Sequence, residues 1–167
     1  MHAAFGAAAL ALLLAAVWRD LLTRSIPDRI ATALLAVAVT ARGLEGFAAI
    51  GLSLLVATLL FAVLTIAFAR GLLGGGDVKL MTALAVGLSP AAVWNFVCVT
   101  GISGGVIAAA YLLAGRLLPP LAPAPHGGLL RRAAAVEAWR IRTRRPMPYA
   151  LAIAAGGAAV LIHGFGA

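Results

Sequence analysis

Two aspartates mark the ends of apolar segments in this chain. Asp20 follows the apolar stretch that ends in "AAVWR", and Asp77 directly follows three consecutive glycines. Acidic side chains at or inside a membrane boundary are costly, and they are candidates for function. Two carboxyls at the same depth suit general acid and base catalysis, or a proton relay. Each aspartate alone could equally be an interfacial anchor, and Asp77 could be a helix N-cap.

The glycine run before Asp77 favours a functional site. Each glycine inside a helix costs about 1 kcal/mol relative to alanine, so a fourth helix is expected to begin only near residue 78. An N-cap does not require Gly74, Gly75 and Gly76 before it. Glycine lets another chain approach the backbone closely. We therefore expect an extended peptide to lie against this turn, beside the carboxylate of Asp77.

The composition places these acids in a membrane protein. Of the 167 residues, 63% are hydrophobic and 11% are charged, whereas about 25% are charged in soluble domains. The mean hydropathy is +1.07. The net charge is +8, but the basic residues do not form a separate domain with interspersed aromatic residues, as in many nucleic-acid-binding proteins. No nucleic-acid partner is therefore expected. Cys98 is the only cysteine, which excludes disulfides within the chain and cysteine-cluster zinc sites.

The apolar segments predict an all-α, polytopic bundle of about six transmembrane helices. A spanning helix needs about 20 apolar residues. The continuous apolar stretch from Val78 to Gly115 is too long for one crossing, so it is expected to turn back near Pro90. No second domain is expected, and residues 1–167 are interpreted as one transmembrane domain. The six predicted helices cover residues 3–18, 29–42, 47–69, 78–89, 91–115 and 147–163.

The basic residues predict the orientation. If all six predicted helices cross the membrane, 12 of the 13 lysines and arginines lie on one side of it, and only Arg42 lies on the other side. The positive-inside rule makes the basic side cytoplasmic, with both termini outside. The large basic loop at about 116–146 carries Trp139, and it is expected to form a short interfacial helix at anionic headgroups.

Three short motifs resemble those of the type IV prepilin peptidases, which are membrane aspartyl proteases. "GGGDVKL" at 74–80 resembles the GxGD motif, and "DLLTRSIPDRI" at 20–30 resembles the first catalytic region. "MPYALAIAAG" at 147–156 resembles the last-helix signature. The motifs occur in the family's order. The length is similar to that of the short, single-domain peptidases of Tad/Flp pilus systems. Larger members of the family carry an added segment with paired cysteines and a methyltransferase activity. Nothing in this sequence matches that segment, so methyltransferase activity is not expected.

The resemblance implies an aspartic-type endopeptidase of the bacterial inner membrane. Its catalytic acids would be Asp20 and Asp77, and its substrate the leader junction of a prepilin or pseudopilin at the cytoplasmic face. No metal or other cofactor is expected. Asp28 departs from the family, which usually has asparagine there. Lys79 would bias the local potential or simply extend to the membrane surface. The expected substrate-binding residues are Gly74, Gly75, Gly76, Lys79, Pro27 and Asp28.

Two other functions fit parts of the sequence. "GISG" at 101–104 matches the GxSG motif of rhomboid serine proteases, in which His163 would be the base for Ser103. Their expected depths argue against it, and Gly101, Ser103, Gly104 and Gly105 are better interpreted as small residues for helix packing. His2, His126 and His163 form no expected metal site. A small transporter or assembly subunit, with the aspartates as a proton relay, is the second alternative.

Overall fold

Six α-helices make up the regular structure of residues 2–117 and 149–163, the parts of the chain described by the computed structural model. The basic loop with Trp139 and His126, the first two residues of the "MPYALAIAAG" motif, and residues 164–167 lie outside these ranges. The helices are α1 (His2–Thr23), α2 (Asp28–Gly43), α3 (Phe47–Ala69), α4 (Gly75–Val86), α5 (Pro90–Leu117) and α6 (Tyr149–His163). The expected all-α bundle is confirmed.

Three helices are long and apolar enough to cross a membrane by length and composition. They cover Ala4–Thr23, Phe47–Ala69 and Pro90–Arg116. Central α3 carries large exposed apolar side chains, such as Leu59, which is 61% exposed, and Val63, which is 63% exposed. Exposing so much apolar surface to water is unfavourable, so lipid must cover α3. The protein is therefore a membrane protein.

The acid-bearing ends of α1 and α4 differ from the sequence-based expectation. Helix α1 continues past residue 18 to Thr23, and it ends where Arg24 adopts a left-handed backbone with φ of 52°. Asp20 therefore lies in the last turn of a helix. Helix α4 begins at Gly75, three residues before the expected start, so Gly75 and Gly76 are helical. The expectation that the glycines would delay this helix was wrong.

Glycines allow α5 and α6 to pack closely. A Cβ atom at Gly156 would overlap the Thr100 hydroxyl, and one at Gly104 would lie 3.1 Å from the ring of Tyr149. Residue 100 of α5 contacts residue 156 of α6, and residue 104 contacts residue 149. The residue numbers change in opposite directions, so the two helices are antiparallel. The packing role expected of the small residues is confirmed at Gly104. It is wrong at Gly101 and Gly105, where an added Cβ would meet nothing within 4 Å.

A third glycine joins α6 to both α1 and α4. A Cβ at Gly157 would lie 2.7 Å from Leu13 Cδ1 and 3.0 Å from Leu84 Cδ2. Leu13 is 1% exposed and Leu84 is fully buried, so this contact lies inside the core. We call these three residues the Gly157 junction. It is one of the contacts that set the relative height of three helices, and the candidate site depends on that height.

Candidate active site

The Gly157 junction brings Asp20, Asp77 and Tyr149 to one level. Asp20 comes seven residues after Leu13, and Asp77 comes seven residues before Leu84. Seven residues are two helical turns, or about 10.5 Å, and they return a side chain to the same face. Tyr149 precedes Gly157 by eight residues, or about 12 Å along α6. The ring of Phe5, which precedes Leu13 in α1, lies beside Gly87, which follows Leu84, so α1 runs opposite to α4. Helix α5 follows α4 after a short turn and is antiparallel to α6, so α6 runs in the direction of α4. All three shifts therefore point to the same end of the bundle, which we call the acid end.

The two aspartates at the acid end interact with each other electrostatically. Asp20 is only 8% exposed, and Asp77 is half-buried. The Asp20 carboxylate repels negative charge on Asp77, so the groups lie within range of a direct charge interaction. Like charges in a poorly solvated place do not readily ionise together. Burial and the neighbouring Asp20 charge therefore both favour the protonated form of Asp77.

Asp77 is held by the turn that precedes it. Its Oδ2 accepts a hydrogen bond of 3.2 Å from the backbone N–H of Gly74. Gly74 is the N-cap residue, with φ of −80° and ψ of 148°, and Asp77 occupies the third helical position. Asp77 is thus a reciprocal cap and not the N-cap itself. A Cβ at Gly74 would lie 2.9 Å from Asp77 Oδ2, so glycine at this position leaves room for the carboxylate.

Gly76 provides space for the loop between α1 and α2. A Cβ added there would lie 3.1 Å from Cβ of Ile26, closer than most such contacts. Gly75 faces the ring of Phe68, whose Cε2 would lie 3.5 Å from an added Cβ. The face of Gly76 that was expected to receive substrate is therefore covered by the protein's own Ile26. This contact also ties the loop after Asp20 to the first turn of α4.

Asp28 and Lys79 form an ion pair away from the two central acids. Lys79 Nζ lies 2.8 Å from Asp28 Oδ1, and the two side chains are 54% and 74% exposed. Lys79 is two residues beyond Asp77, about 200° around the helix, and so faces away from it. Pro27 supplies the N-cap of α2, and Asp28 begins that helix, where a negative charge is favourable. Neither role expected for Lys79, biasing the local potential or extending to the membrane surface, included this ion pair with Asp28.

The structure separates Ser103 from His163. Ser103 neighbours Gly104, which packs against Tyr149 at the first residue of α6. His163 is the last residue of that helix, which places the two positions about 21 Å apart along the helix axis. A serine and its base must lie about 3 Å apart. This arrangement excludes the Ser103 and His163 pair as a catalytic unit.

A comparison with protein families identifies the family of this chain. A sequence model of the type IV leader peptidase family matches residues 7–109, more than half of the chain, and the matched range contains both Asp20 and Asp77. The chain belongs to the type IV leader peptidase family. It is therefore a peptidase. Comparisons with curated proteins and with solved structures find no match. Helix α6 lies beyond the matched range.

Two residues of the peptidase's acid end were missed by sequence reasoning. Ile26 lies within the "DLLTRSIPDRI" motif, and Tyr149 lies within "MPYALAIAAG". Neither carries a charge that would have drawn attention. A signal did exist for Tyr149, because adjacent Gly156 and Gly157 two turns later predict close packing on that face of α6.

Proposed function

We propose that this peptidase is an intramembrane aspartyl endopeptidase that removes the leader of type IV, Flp-like prepilins or pseudopilins. Asp20 and Asp77 would be its catalytic acids. The acid end would face the cytoplasm, in a bacterial inner membrane that the chain crosses several times. The observation that carries the proposal is the placement of two interacting carboxyls at one level by the Gly157 junction.

The burial of the pair supports a shared proton. Asp20 is nearly covered, while half-buried Asp77 remains within reach of water. The Gly74 N–H and the N-terminus of α4 favour the anion of Asp77. The proton nevertheless belongs to the coupled pair as a unit. Either carboxyl can thus begin the reaction as base, provided that the other is protonated.

The reaction needs only water and the two carboxyls. The ionised carboxyl takes a proton from water while the water oxygen attacks the carbonyl carbon of the peptide bond. The protonated carboxyl gives its proton to the carbonyl oxygen, and a tetrahedral diol results. One hydroxyl proton of the diol then passes to a carboxylate, the C–N bond breaks, and the other carboxyl protonates the leaving nitrogen. The pair again holds one proton after release of the acid and amine products.

A prepilin suits the position of this site at a membrane boundary. Its positively charged leader would stay in the cytoplasm while its apolar helix enters the bilayer, which leaves the junction between them at the level of the two acids. Gly74, Gly75 and Gly76 would contribute the backbone near this junction, with Pro27, Asp28 and Lys79 at its side. Because Ile26 covers one face of Gly76, substrate would approach these glycines from another face.

Cleavage of a prepilin by purified protein tests the proposal. Asp20→Asn and Asp77→Asn keep the side-chain shape but cannot exchange a proton, so each should lower the rate by at least about 1,000-fold. Glu45→Gln is the matched control, since it removes an acid that pairs with Arg42 elsewhere, and it should cleave normally. All variants are compared at equal membrane abundance and after a check of folding.

The same experiment distinguishes the transporter alternative. A folded wild-type sample that does not cleave any prepilin, but moves protons in vesicles in a manner lost in Asp77→Asn, would support a proton relay. Cleavage by Asp77→Asn at the wild-type rate would show that the aspartyl mechanism is wrong.

A further inference from the structure

Tyr149 lies at the acid end, where its ring packs against α5. It is the first residue of α6 and is half-buried. Its ring atoms Cε2 and Cζ and its hydroxyl oxygen lie 3.1 to 3.3 Å from where a Gly104 Cβ would be. The absence of a side chain at Gly104 therefore creates the notch in which the phenol rests. A ring held in such a notch has a defined position.

The Gly157 junction gives the notch its relation to the two acids. Tyr149 lies about two helical turns from Gly157, toward the same end of the bundle as Asp20 and Asp77. The phenol and the Asp77 carboxylate also interact electrostatically. Among the residues that the structure describes, no hydrogen bond takes up the Tyr149 hydroxyl. A partly buried phenol normally finds a partner for its O–H group, and a peptide carbonyl bound at the acid end would supply one.

We propose that Tyr149 is a third catalytic residue of this site, whose phenol O–H donates a hydrogen bond to the carbonyl oxygen of the peptide bond being cut. This role rests on the proposed function of the aspartate pair. Negative charge grows on that oxygen as water attacks the carbonyl carbon. A fixed donor stabilises the growing charge more than the uncharged carbonyl, and so it speeds the reaction. The tyrosine remains protonated throughout, and the proton transfers stay with the two aspartates.

Tyr149→Phe is the decisive variant because it keeps the ring in the Gly104 notch and removes only the hydroxyl. Loss of one such donor lowers kcat by about 100-fold, and we expect that loss with KM changed less than about threefold. Tyr111→Phe removes the chain's other tyrosine hydroxyl and should leave kcat unchanged. Gly104→Val fills the notch and displaces the ring, so it should lower kcat about as much as Tyr149→Phe.

Thermal unfolding in detergent distinguishes chemistry from packing. Tyr149→Phe should unfold within about 2 °C of the wild type, whereas a packing role would lower the unfolding temperature along with activity. A wild-type kcat in Tyr149→Phe, or a loss of kcat fully explained by unfolding, overturns the proposal. Asp77→Asn is measured beside it. If Asp77→Asn is inactive and Tyr149→Phe is fully active, only the tyrosine proposal fails; if Asp77→Asn cleaves, the aspartyl mechanism fails.

Discussion

The two ends of the helix bundle use polar groups in opposite ways. At the end away from the acids, Arg42 pairs with Glu45 and its Nε donates to Ser53 Oγ at 2.9 Å. Ser53 is fully buried and donates in turn to the carbonyl oxygen of Leu88 at 3.0 Å. We call these four residues the outer network. At the acid end, two carboxyls of like charge are brought together.

The difference separates polar groups that stabilise the fold from polar groups that cost it stability. In the outer network each charge meets its opposite and the buried hydroxyl is both donor and acceptor, so the network joins α2, α3 and the turn before α5. Such satisfied groups rigidify a fold. The aspartate pair instead costs free energy, because burial and like charge both disfavour its ionised form. Costly arrangements of this kind are typical of functional sites, which is why the proposed function assigns the chemistry to this pair.

Reporter fusions test which end faces the cytoplasm and have the largest expected effect. We expect a periplasm-dependent reporter to be active after Ala167 and silent when inserted near Gly127. The reason is the concentration of basic residues on the side of the acid end. A reporter that is active only in the cytoplasm should give the reverse pattern at both sites. If both patterns are inverted, the aspartates face the wrong compartment for leader removal.

The contact between Gly76 and Ile26 predicts a large loss of activity that can be reversed. Gly76→Val should lower the cleavage rate by about 100-fold, because a displacement of about 1 Å has that effect in an active site. Its side chain would press on Ile26 and shift the loop that follows Asp20. The double variant Gly76→Val with Ile26→Ala should cleave at least about tenfold faster than Gly76→Val alone.

Gly101→Val is the control for this pair, since an added side chain there meets nothing within 4 Å. It should cleave at the wild-type rate. If Ile26→Ala restores nothing although Gly76→Val inserts normally, the valine blocks substrate and not the loop. The original expectation of a glycine face open to the substrate would then hold.

The outer network predicts a loss of stability without a loss of catalysis. Ser53→Ala leaves the Leu88 carbonyl and the Arg42 Nε without their partner. The free energy of unfolding should fall by about 1–3 kcal/mol, while kcat per folded molecule stays the same. Thr58→Ala on the same helix removes a hydroxyl that bonds only the carbonyl of Leu54, and it should change stability by less than about 0.5 kcal/mol. A fall in kcat for Ser53→Ala would mean that the two ends are coupled.

The exposed Asp28 and Lys79 pair predicts the smallest effect. Exposed ion pairs contribute about 0.2–1 kcal/mol, so Asp28→Asn should retain substantial activity. Asp28→Lys should lower the rate a few-fold at low salt, because it sets two positive charges side by side. The exchange Asp28→Lys with Lys79→Asp should recover the rate, and high salt should reduce all of these differences. An inactive Asp28→Asn would instead make Asp28 one of the reacting acids.

The sequence predicted the helices well because each apolar segment is bounded by a charge, a glycine run or a proline. Pro90 begins α5 within one residue of its expected start, and α3 has the predicted bounds of 47 and 69. The start of α4 could not be predicted in the same way. Glycine is unfavourable in a helix taken alone, but here the Asp77 carboxylate caps the turn and Ile26 requires the space at Gly76. Both contacts depend on tertiary packing.

The site itself was only partly accessible to sequence reasoning. Asp20 and Asp77 could be identified because acids are rare in this chain, which has only five. Their shared level could be inferred from helix order, but their direct interaction depends on tertiary contacts such as the Gly157 junction. That junction joins residues 13, 84 and 157, and no local pattern connects positions so far apart. The ion pair of Asp28 with Lys79 likewise joins positions 51 residues apart.

The Gly157 junction also has a consequence for the biosynthesis of the enzyme. Helix α6 is the last of the six described helices to be made, and its Gly157 lies against both Leu13 of α1 and Leu84 of α4. Ribosomes add about 5–20 residues each second, so α1 and α4 enter the membrane several seconds before α6 can join them. During that interval α1 and α4 lack the contacts that Gly157 makes with Leu13 and Leu84. If the proposed aspartyl mechanism holds, the level of the two acids is completed only once α6 has packed, so the proposed site would mature late in synthesis.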